Sequence, residues 1–159
     1  MRKTFAQLLT NFMSKEKSAV FLTADLGYKF FDEILNKHPD RAFNTGAAEQ
    51  LMLGACVGIS LQGNHIPICY SITPFLLYRP FEIIRNYINY ENLPVKLIGS
   101  GRDKDYAHDG FSHWAEDDQD VMKLFPNIHV EHPKSIEHLS ENFESLMYSK
   151  KPVYINLKR

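Results

Sequence analysis

Short apolar runs alternate with segments of helical pattern from one end of the chain to the other. The runs that have the length of buried strands and are bounded by turn residues are 19–24, 66–72, 94–100, 127–132 and 152–158. The segments with apolar residues at helical spacing, or with an acidic first turn, are 2–14, 30–38, 46–61, 81–90, 116–125 and 135–149. Because strands that are joined through helices run parallel, the alternation predicts an α/β fold, with a mostly parallel sheet flanked by helices on both faces.

One ordinary globular domain over residues 1–159 accounts for the length and composition of the chain. With 44% hydrophobic and 23% charged residues, a chain of 159 residues can bury a single good core. The net charge of -1 and the lack of a Lys/Arg stripe argue against nucleic acid or an anionic membrane surface as a partner. Cys56 and Cys69 lie in apolar runs and form no CxxC motif, which favours buried thiols in a reducing compartment.

The chain shows neither a membrane span nor a secretory leader in its sequence pattern. The longest apolar run, 51–61, is too short to cross a bilayer. The N-terminal segment is basic and then apolar, but polar Gln7, Thr10 and Asn11 interrupt it, and no small-residue cleavage site follows. We therefore expect a cytoplasmic protein.

The loops that follow predicted strands hold most of the unusual polar residues. These loops are 25–28, 73–79 and 100–115. In an open parallel sheet, ligands bind beyond the carboxyl ends of the strands, so the fold and the polar residues point to the same edge of the sheet. No GxxxxGK[ST] or GxGxxG motif is present to cradle a phosphate, and no GxSxG nucleophile elbow occurs.

Glu49 stands near the start of the small and apolar segment 46–61, which contains no Lys or Arg and has Asn44 or Thr45 as its predicted helix cap. A glutamate in the first turn of a helix usually compensates the helix dipole at the surface. Here the neighbouring residues are Ala, Leu and Met and leave no polar face, so a buried functional carboxylate is an equally good interpretation. Burial without a cation would favour the protonated carboxyl, which can share its proton with a ligand nitrogen.

The segment 105–120, DYAHDGFSHWAEDDQD, gathers histidines and acids in a glycine-bearing loop. Its spacing fits no zinc pattern, and Glu116 and Asp117 belong to the start of the next helix, so a metal site is the weaker interpretation. A histidine in a loop after a strand more readily hydrogen-bonds a substrate or moves a proton. His108 and His113 are the candidates, although a solvated loop histidine is an equal alternative for His108.

The stretch TPFLLYRPFEIIRN places aromatic residues and arginines directly after a predicted strand. The regular spacing of Phe75, Tyr78 and Phe81 is most often used for core packing, and alternatively for an aromatic wall against a flat ring. Arg79 and Arg85 are candidates for pairing with acids or with phosphate.

Several segments, in order along the chain, resemble one family of enzymes. FNTGAAEQLMLGACVGISLQGNHIPI is similar to the N-x-G-I-A-E-Q-x-M-x-G segment of transketolase-type thiamine-diphosphate enzymes, and DGFSHWAEDDQDVMKLFPNIHVEHP to their later D-G-x-x-H-x-x-E-D segment. FLTADLG resembles the opening strand of the family, and FLLYRPFEIIRN its aromatic and arginine segment. The resemblance covers about residues 18–133 and indicates the pyrimidine-binding domain of a transketolase-like enzyme. That class includes deoxyxylulose-phosphate synthase and the beta subunits of 2-oxo acid dehydrogenases.

The resemblance implies a cofactor for Glu49 to act on. In the family, the glutamate of this motif hydrogen-bonds N1′ of the aminopyrimidine of thiamine diphosphate, and the proton exchange that follows produces the reactive ylid at thiazolium C2. By the same resemblance, Phe75 and Tyr78 flank the pyrimidine ring. Asp25 and Leu26 lie where the first strand of the family meets the cofactor.

The substrate side of the site is expected to hold His113, together with Arg79 and His108. His113 matches the family histidine that faces the oxygens of the substrate and can stabilise charge or move protons there. Trp114 follows it where smaller or polar residues are common, which would reshape the substrate pocket. Lys123 stands where the family commonly has Arg, which is a mild change.

The resemblance covers only one of the domains that family enzymes need. A second domain carries a GDG…N stretch that holds Mg²⁺ and the diphosphate, and no such motif occurs here. We therefore expect a separate diphosphate-binding partner subunit, which carries the metal, in an α₂β₂ heterotetramer or a similar assembly, and no metal ligand on this chain. Met52, Leu53 and Cys56 on the apolar helix would then lie partly at the interface.

Together these features predict a subunit of an enzyme that makes or breaks a carbon–carbon bond next to a carbonyl. Ketol transfer between phosphorylated sugars is the first interpretation, because GFSHWAEDD is more transketolase-like than dehydrogenase-like. One enzymatic alternative is a component of a 2-oxo acid decarboxylase or dehydrogenase. The others are an orphan domain kept as a scaffold or regulatory partner, and a stand-alone nucleotide-binding domain, against which the missing phosphate motif argues.

Overall fold

A six-stranded sheet, in which all paired strands run parallel, forms the centre of the computed structural model, which describes all 159 residues. The strands are β1 Ala19–Thr23, β2 Ala42–Asn44, β3 Ile66–Ile72, β4 Lys96–Ser100, β5 His129–Glu131 and β6 Val153–Leu157. Their order across the sheet is β2-β1-β3-β4-β6-β5. The chain moves from β1 outward to β2 and then returns to the other side of β1 with β3. The boundary between β1 and β3 is therefore a topological switch point, where open α/β sheets bind ligands.

Helices connect these strands. They are α1 Arg2–Lys15, α2 Asp32–Lys37, α3 Glu49–Leu61, α4 Thr73–Tyr78, α5 Phe81–Ile83, α6 Asp118–Met122 and α7 Ile136–Tyr148. A π-helical segment, Ile84–Asn89, continues α5, and two short 3₁₀ turns, Ala107–Asp109 and Phe111–His113, lie in the loop after β4. None of the helices combines the length and the apolar character that a membrane crossing requires.

A separate hydrophobic core lies on each face of the sheet. On one face α1, α2 and α7 pack against the strands, and Phe5 and Phe12 meet Phe143 edge-on at centroid distances of 5.7 and 5.8 Å. On the other face α3, α4, the π-helical segment and α6 bury a second cluster around Met52 and Leu76. Each large apolar side chain that is fully buried contributes about 1.5–3 kcal/mol relative to exposure. The predicted α/β fold, with helices on both faces of a parallel sheet, is confirmed.

The strand β2 is not predicted by the sequence pattern. It has 3 residues, of which only Ala42 is buried, and it pairs with β1 alone at the edge of the sheet. A strand this short, with exposed Phe43 and Asn44, shows neither an alternating pattern nor an apolar run.

The helix that carries Glu49 begins at that residue, so the cap predicted at Asn44 or Thr45 is wrong. Asn44 instead closes the turn before the helix, where its Oδ1 accepts from the backbone N–H of Gly46 at 3.0 Å and of Asp25 at 2.9 Å. Gly46 has a φ of 71°, a left-handed conformation that glycine adopts without strain. The helix α3 therefore begins only after this turn, with Glu49 as its first residue.

Lys96 is a buried amine at the amino end of β4. The predicted site lies at the opposite, carboxyl ends of the strands. Lys96 Nζ donates to the carbonyl oxygens of Ser149 at 2.7 Å and Lys151 at 3.0 Å, in the turn after α7. Burial, with a smaller contribution from the charge of Lys150, lowers the pKa of Lys96 to about 7.

This lowered pKa predicts a pH-dependent stability. An unfolded lysine keeps its proton up to about pH 10.5, whereas folded Lys96 releases it near pH 7, so the unfolded state binds more protons between these values. We expect the free energy of unfolding to rise above neutral pH by up to about 1.4 kcal/mol per pH unit. Denaturant titrations of the wild type and of Lys96→Met across this range measure the effect. The same pH dependence in both proteins would contradict the assignment to Lys96.

Candidate functional site

The candidate site lies at the carboxyl ends of β1, β2 and β3, beside the switch point in strand order. Asp25 and Leu26 follow β1, and Glu49 opens α3 after β2. The segment 73–79, predicted as a loop, instead forms α4 directly after β3. Pro74 suits this start, because proline is tolerated in the first turn of a helix, where its missing N–H is not needed.

Glu49 is buried, with only 2% of its surface exposed, so of the two interpretations that the sequence left open the surface one does not hold. Its Oε1 accepts a hydrogen bond from Ser71 Oγ at 3.2 Å, and its Oε2 accepts one from an Arg79 guanidinium nitrogen at 2.7 Å. Arg79, which the sequence offered as a candidate for pairing with acids, therefore supplies a cation to the buried carboxylate. The cation comes from the end of α4, 30 residues further along the chain, and no local pattern could reveal it.

Arg79 bridges Glu49 and an aromatic ring. Its guanidinium carbon lies 3.8 Å from the centroid of the Phe75 ring, within the range of a cation–π contact. The backbone carbonyl of Arg79 accepts from Gln50 Nε2 at 3.1 Å, which ties the end of α4 to the start of α3. An open cleft of ≈ 550 Å³ adjoins this contact and is lined by Ala47, Ala48, Glu49, Gln50, Leu51 and Arg79.

His113 meets the same aromatic ring. The His113 and Phe75 rings are edge-on, with a centroid distance of 4.8 Å, and Ser112 Oγ lies 3.0 Å from Nδ1 of the histidine. The loop that carries His113 is anchored at its start, where Thr73 Oγ1 donates to the carbonyl oxygen of Gly101 at 2.7 Å. One continuous set of contacts, named the Glu49 cluster below, therefore comprises Glu49, Ser71, Phe75, Arg79 and His113.

Tyr78, predicted to flank a ligand ring with Phe75, lines a different groove. Burial and the nearby carboxylate of Asp117 raise the pKa of Tyr78, so its hydroxyl stays protonated. This second groove, of ≈ 320 Å³, is lined by Pro74, Tyr78, Phe111, Ser112, Trp114, Glu116 and Asp117. Tyr78 thus lines a groove together with Trp114 and is not among the residues that line the cleft beside Glu49.

His108 lies apart from the Glu49 cluster, although it shares a loop with His113. It is exposed, and its Nε2 lies 3.1 Å from Asp109 Oδ2. The centroid of the Tyr106 ring lies 6.5 Å from that of the His108 ring and 6.4 Å from that of the His113 ring. The acids and histidines of this loop do not gather, and no group of three or more His, Cys, Asp or Glu side chains in the chain is placed to hold a metal ion.

Asp25 and Leu26 lie at the same edge of the sheet, but their hydrogen bonds go elsewhere. Asp25 Oδ1 accepts from the hydroxyl of Tyr28 at 2.6 Å and from Asn44 Nδ2 at 3.2 Å, and these two bonds lower the pKa of Asp25. The carbonyl oxygen of Leu26 accepts from Thr23 Oγ1 at 2.8 Å. The bonds between Asp25 and Asn44 hold the end of β1 against the turn that precedes Glu49.

A buried polar network, which no sequence pattern indicates, surrounds Asp118. Asp118 Oδ2 accepts from the hydroxyl of Tyr154 at 2.8 Å and from Asn156 Nδ2 at 2.5 Å, and it lies 3.1 Å from His132 Nε2. Burial alone would raise the pKa of Asp118, but His132 close beside it and the hydrogen bonds from Asn156 and Tyr154 outweigh burial and lower it. Because α6 begins at Asp118, the network anchors the far end of the loop that carries His113.

The outward face of α3 differs from the predicted interface. Met52, Leu53 and Cys56 are fully buried in the core and offer no surface to another chain, so their assignment to an interface is wrong. The exposed positions of the helix are Gln50, Leu51, Gly54, Gly58 and Leu61. A helix that is apolar throughout shows no periodicity from which its buried side could be read.

The family of the chain follows from comparison with known proteins. The family described as "Transketolase, pyrimidine binding domain" matches residues 1–159. The chain belongs to this family. The resemblance that the sequence motifs indicated is confirmed, and the Glu49 cluster lies in a transketolase pyrimidine-binding domain.

Relatives of this pyrimidine-binding domain include two that align over its full length. A putative transketolase C-terminal section of Methanocaldococcus jannaschii is 32% identical over 160 residues, and a 6-deoxy-6-sulfo-D-fructose transketolase subunit of Clostridium sp. (strain MSTE9) is 30% identical over 163 residues. A solved structure described as a split gene transketolase, inactive beta4 tetramer, has a TM-score of 0.85 at 31% identity and is matched over 99% of this chain. The chain covers 50%, 49% and 50% of these three proteins, about half the length of each.

Proposed function

We propose that the chain is the pyrimidine-binding subunit of a split, thiamine-diphosphate-dependent enzyme of the transketolase type. The observation that carries this proposal is Glu49, a carboxylate with 2% exposure at the carboxyl edge of a parallel sheet, beside an aromatic ring. Burying a carboxylate is costly, and a buried carboxylate at a ligand-binding edge is a functional-site candidate. The names of the relatives, a transketolase C-terminal section and a transketolase subunit, support the same class of reaction.

The Glu49 cluster suits a planar ring that carries nitrogen. The Arg79 guanidinium is a flat group with N–H donors, and it faces Phe75 at 3.8 Å while it donates to Glu49 at 2.7 Å. An aminopyrimidine offers the same two features, a flat face and a ring nitrogen that can hydrogen-bond a carboxyl group. The guanidinium thus acts as a stand-in for the ring, and the residues present fit the pyrimidine of thiamine diphosphate.

When bound, thiamine diphosphate would supply a ring carbon that, once deprotonated, can add to carbonyl groups, and a positively charged ring that can take up the resulting negative charge. Within this chain, Glu49 would exchange a proton with the pyrimidine nitrogen, and its burial would keep water from that proton. Phe75 would hold the face of the ring. His113, at 4.8 Å from Phe75, would hydrogen-bond the oxygens of the substrate. Roles for Tyr78, Asp25, Leu26 and His108 stay predictions.

The diphosphate and Mg²⁺ are assigned to a partner subunit, with two copies of each chain in the assembly. Mg²⁺ is usually held by one or two carboxylates together with phosphate oxygens, and the GDG…N stretch expected to supply them is not part of this sequence. The split gene transketolase structure and the relatives named as a section and a subunit support a divided enzyme. The sulfo-sugar in the name of the Clostridium relative supports a keto-sugar with an anionic group as the substrate class, with ketol transfer as the reaction.

Reconstitution tests the proposal. A chain with a GDG…N stretch is co-expressed with this one, the complex is purified in the presence of Mg²⁺ and thiamine diphosphate, and the retained cofactor is measured after gel filtration. We expect the complex to retain the cofactor and each chain alone to lose it, because the site is divided between them. A stable complex that retains no thiamine diphosphate would instead favour the scaffold alternative and overturn the proposal.

Replacing His113 by alanine in that complex should weaken substrate use while leaving cofactor binding unchanged. The expected loss is about 10²–10⁴-fold in kcat/KM, the range for a side chain that stabilises charge or moves a proton. His113 contacts Phe75 only edge-on, so its removal leaves Glu49 and the face of Phe75 in place. Steady-state kinetics and cofactor titrations on the same preparation separate the two effects. Loss of cofactor binding in His113→Ala would contradict the assigned role.

A further inference from the structure

Arg79 contacts both the Phe75 ring and the carboxylate of Glu49. Its guanidinium faces the Phe75 ring at 3.8 Å and donates to Oε2 of Glu49 at 2.7 Å. The other oxygen of Glu49 points inward and accepts from Ser71, which is fully buried, at 3.2 Å. The oxygen that a ligand in the cleft can reach is therefore the one that Arg79 already holds.

We propose that Arg79 is an internal competitor of the cofactor, which fills the pyrimidine position until the cofactor displaces it. This inference rests on the proposed function, and it replaces the substrate-binding role that the sequence suggested for Arg79. A ring nitrogen and the guanidinium need the same oxygen of Glu49 and the same ring, Phe75, so they exclude each other. Without the cofactor, Arg79 supplies the buried carboxylate with a cation.

The side chain of Arg79 is placed so that it can leave. It is 45% exposed, whereas Glu49 is 2% exposed, so the pair lies at the mouth of the cleft. The backbone of Arg79 is held separately, through the bond from Gln50 Nε2 to its carbonyl oxygen at 3.1 Å. The guanidinium can therefore swing into solvent while α4 stays in place. A half-exposed ion pair and a cation–π contact are each weak, and together they would hold the site closed in roughly nine of ten molecules.

Thiamine, which has the pyrimidine ring but no diphosphate, tests this competition on the chain alone. We expect Arg79→Ala to bind thiamine about tenfold more tightly than the wild type, because the apparent Kd is the intrinsic Kd divided by the open fraction. NMR shifts of backbone amides at the start of α3 follow the titration, and thermal melting shows that each variant is folded. Arg85→Ala is the matched control. Arg85 is exposed, donates to Asn86 Oδ1 at 2.9 Å and contacts no member of the Glu49 cluster, so its removal should leave thiamine affinity unchanged.

The outcomes separate this inference from the proposed function. A folded Arg79→Ala protein that binds thiamine no more tightly than the wild type overturns the competition, and weaker binding overturns it too, because Arg79 would then hold Glu49 in place for the ligand. Arg79→Met, which keeps the aliphatic packing, gives the same test if Arg79→Ala does not fold. Adding Glu49→Ala to the Arg79 variant examines Glu49 itself. If this double variant no longer binds thiamine, both the competition by Arg79 and the role of Glu49 are supported. If it still binds thiamine more tightly than the wild type, Arg79 competes only for the face of Phe75, and the proposed role of Glu49 is overturned.

Discussion

Replacing Glu49 by glutamine should lower the turnover of the complex with its diphosphate-binding partner by about 10²–10⁴-fold, the range that acid–base groups contribute. Glutamine has nearly the same volume, and its amide oxygen can still accept from Ser71 or Arg79. It cannot, however, exchange a proton with a ring nitrogen. Assembly should stay intact, because a side chain with 2% exposure gives almost no surface to a partner.

Proton exchange at the reactive carbon of bound thiamine diphosphate is the measurement that isolates this step. It is followed by NMR in heavy water, beside turnover and the mass of the assembled complex. Glu82→Gln is the matched control, because Glu82 is an exposed carboxylate in the neighbouring helix α5 and belongs to no predicted site. Normal exchange and normal turnover in Glu49→Gln would remove the role assigned to Glu49. Failure to assemble would instead make its role structural.

The fold could be predicted where an element is long enough to show a period or an apolar run. The strands β1, β4 and β6 are buried along their whole length, which is typical of parallel strands covered by helices on both faces. The edge strand β2 could not be recognised, because two of its residues face solvent. The helix α4 could not be recognised for another reason. It spans only 6 residues, and burial of Leu76 and Leu77 stabilises it more than any local helical signal does.

The candidate site could be predicted only as far as chain topology determines it. Because parallel strands end at one edge of the sheet, the positions of Glu49, Phe75 and His113 after their strands predict that they lie near one another. Glu49 and Arg79 are 30 positions apart in the sequence, and their pairing depends on where the Arg79 side chain lies in the folded chain. No periodicity in the sequence encodes such a contact. The burial of Asp118 could not be predicted either. Asp118 follows two other acids, and no local pattern shows which of the three is buried.

Replacing Asp118 by alanine should lower the free energy of unfolding by about 3 kcal/mol, because a broken buried network leaves polar groups without partners. The hydroxyl of Tyr154 and the amide of Asn156 both donate to the lost carboxylate, and both residues are fully buried. For a domain of this size the melting temperature should fall by about 6–12 °C. Asp120→Ala is the matched control. Asp120 lies in the same helix but is 76% exposed and pairs only with Lys123, so its loss should cost at most about 0.5 kcal/mol.

Acid titration separates the charge of Asp118 from its shape. Its folded pKa lies below the unfolded value of 3.8, so its contribution to stability is fully present above about pH 4 and is lost as the pH falls through the folded pKa. Asp118→Asn keeps the shape without the charge, and its stability deficit against the wild type should therefore shrink in acid. Urea titrations of both proteins at neutral pH and near pH 3 measure the stability deficit with Asp118 charged and with Asp118 more protonated. A carboxylate that is paired only in the folded state must lose its contribution to stability once it is protonated. A deficit that stays constant with pH would therefore mean that packing, and not the charged network, holds α6 and the adjoining His113 loop.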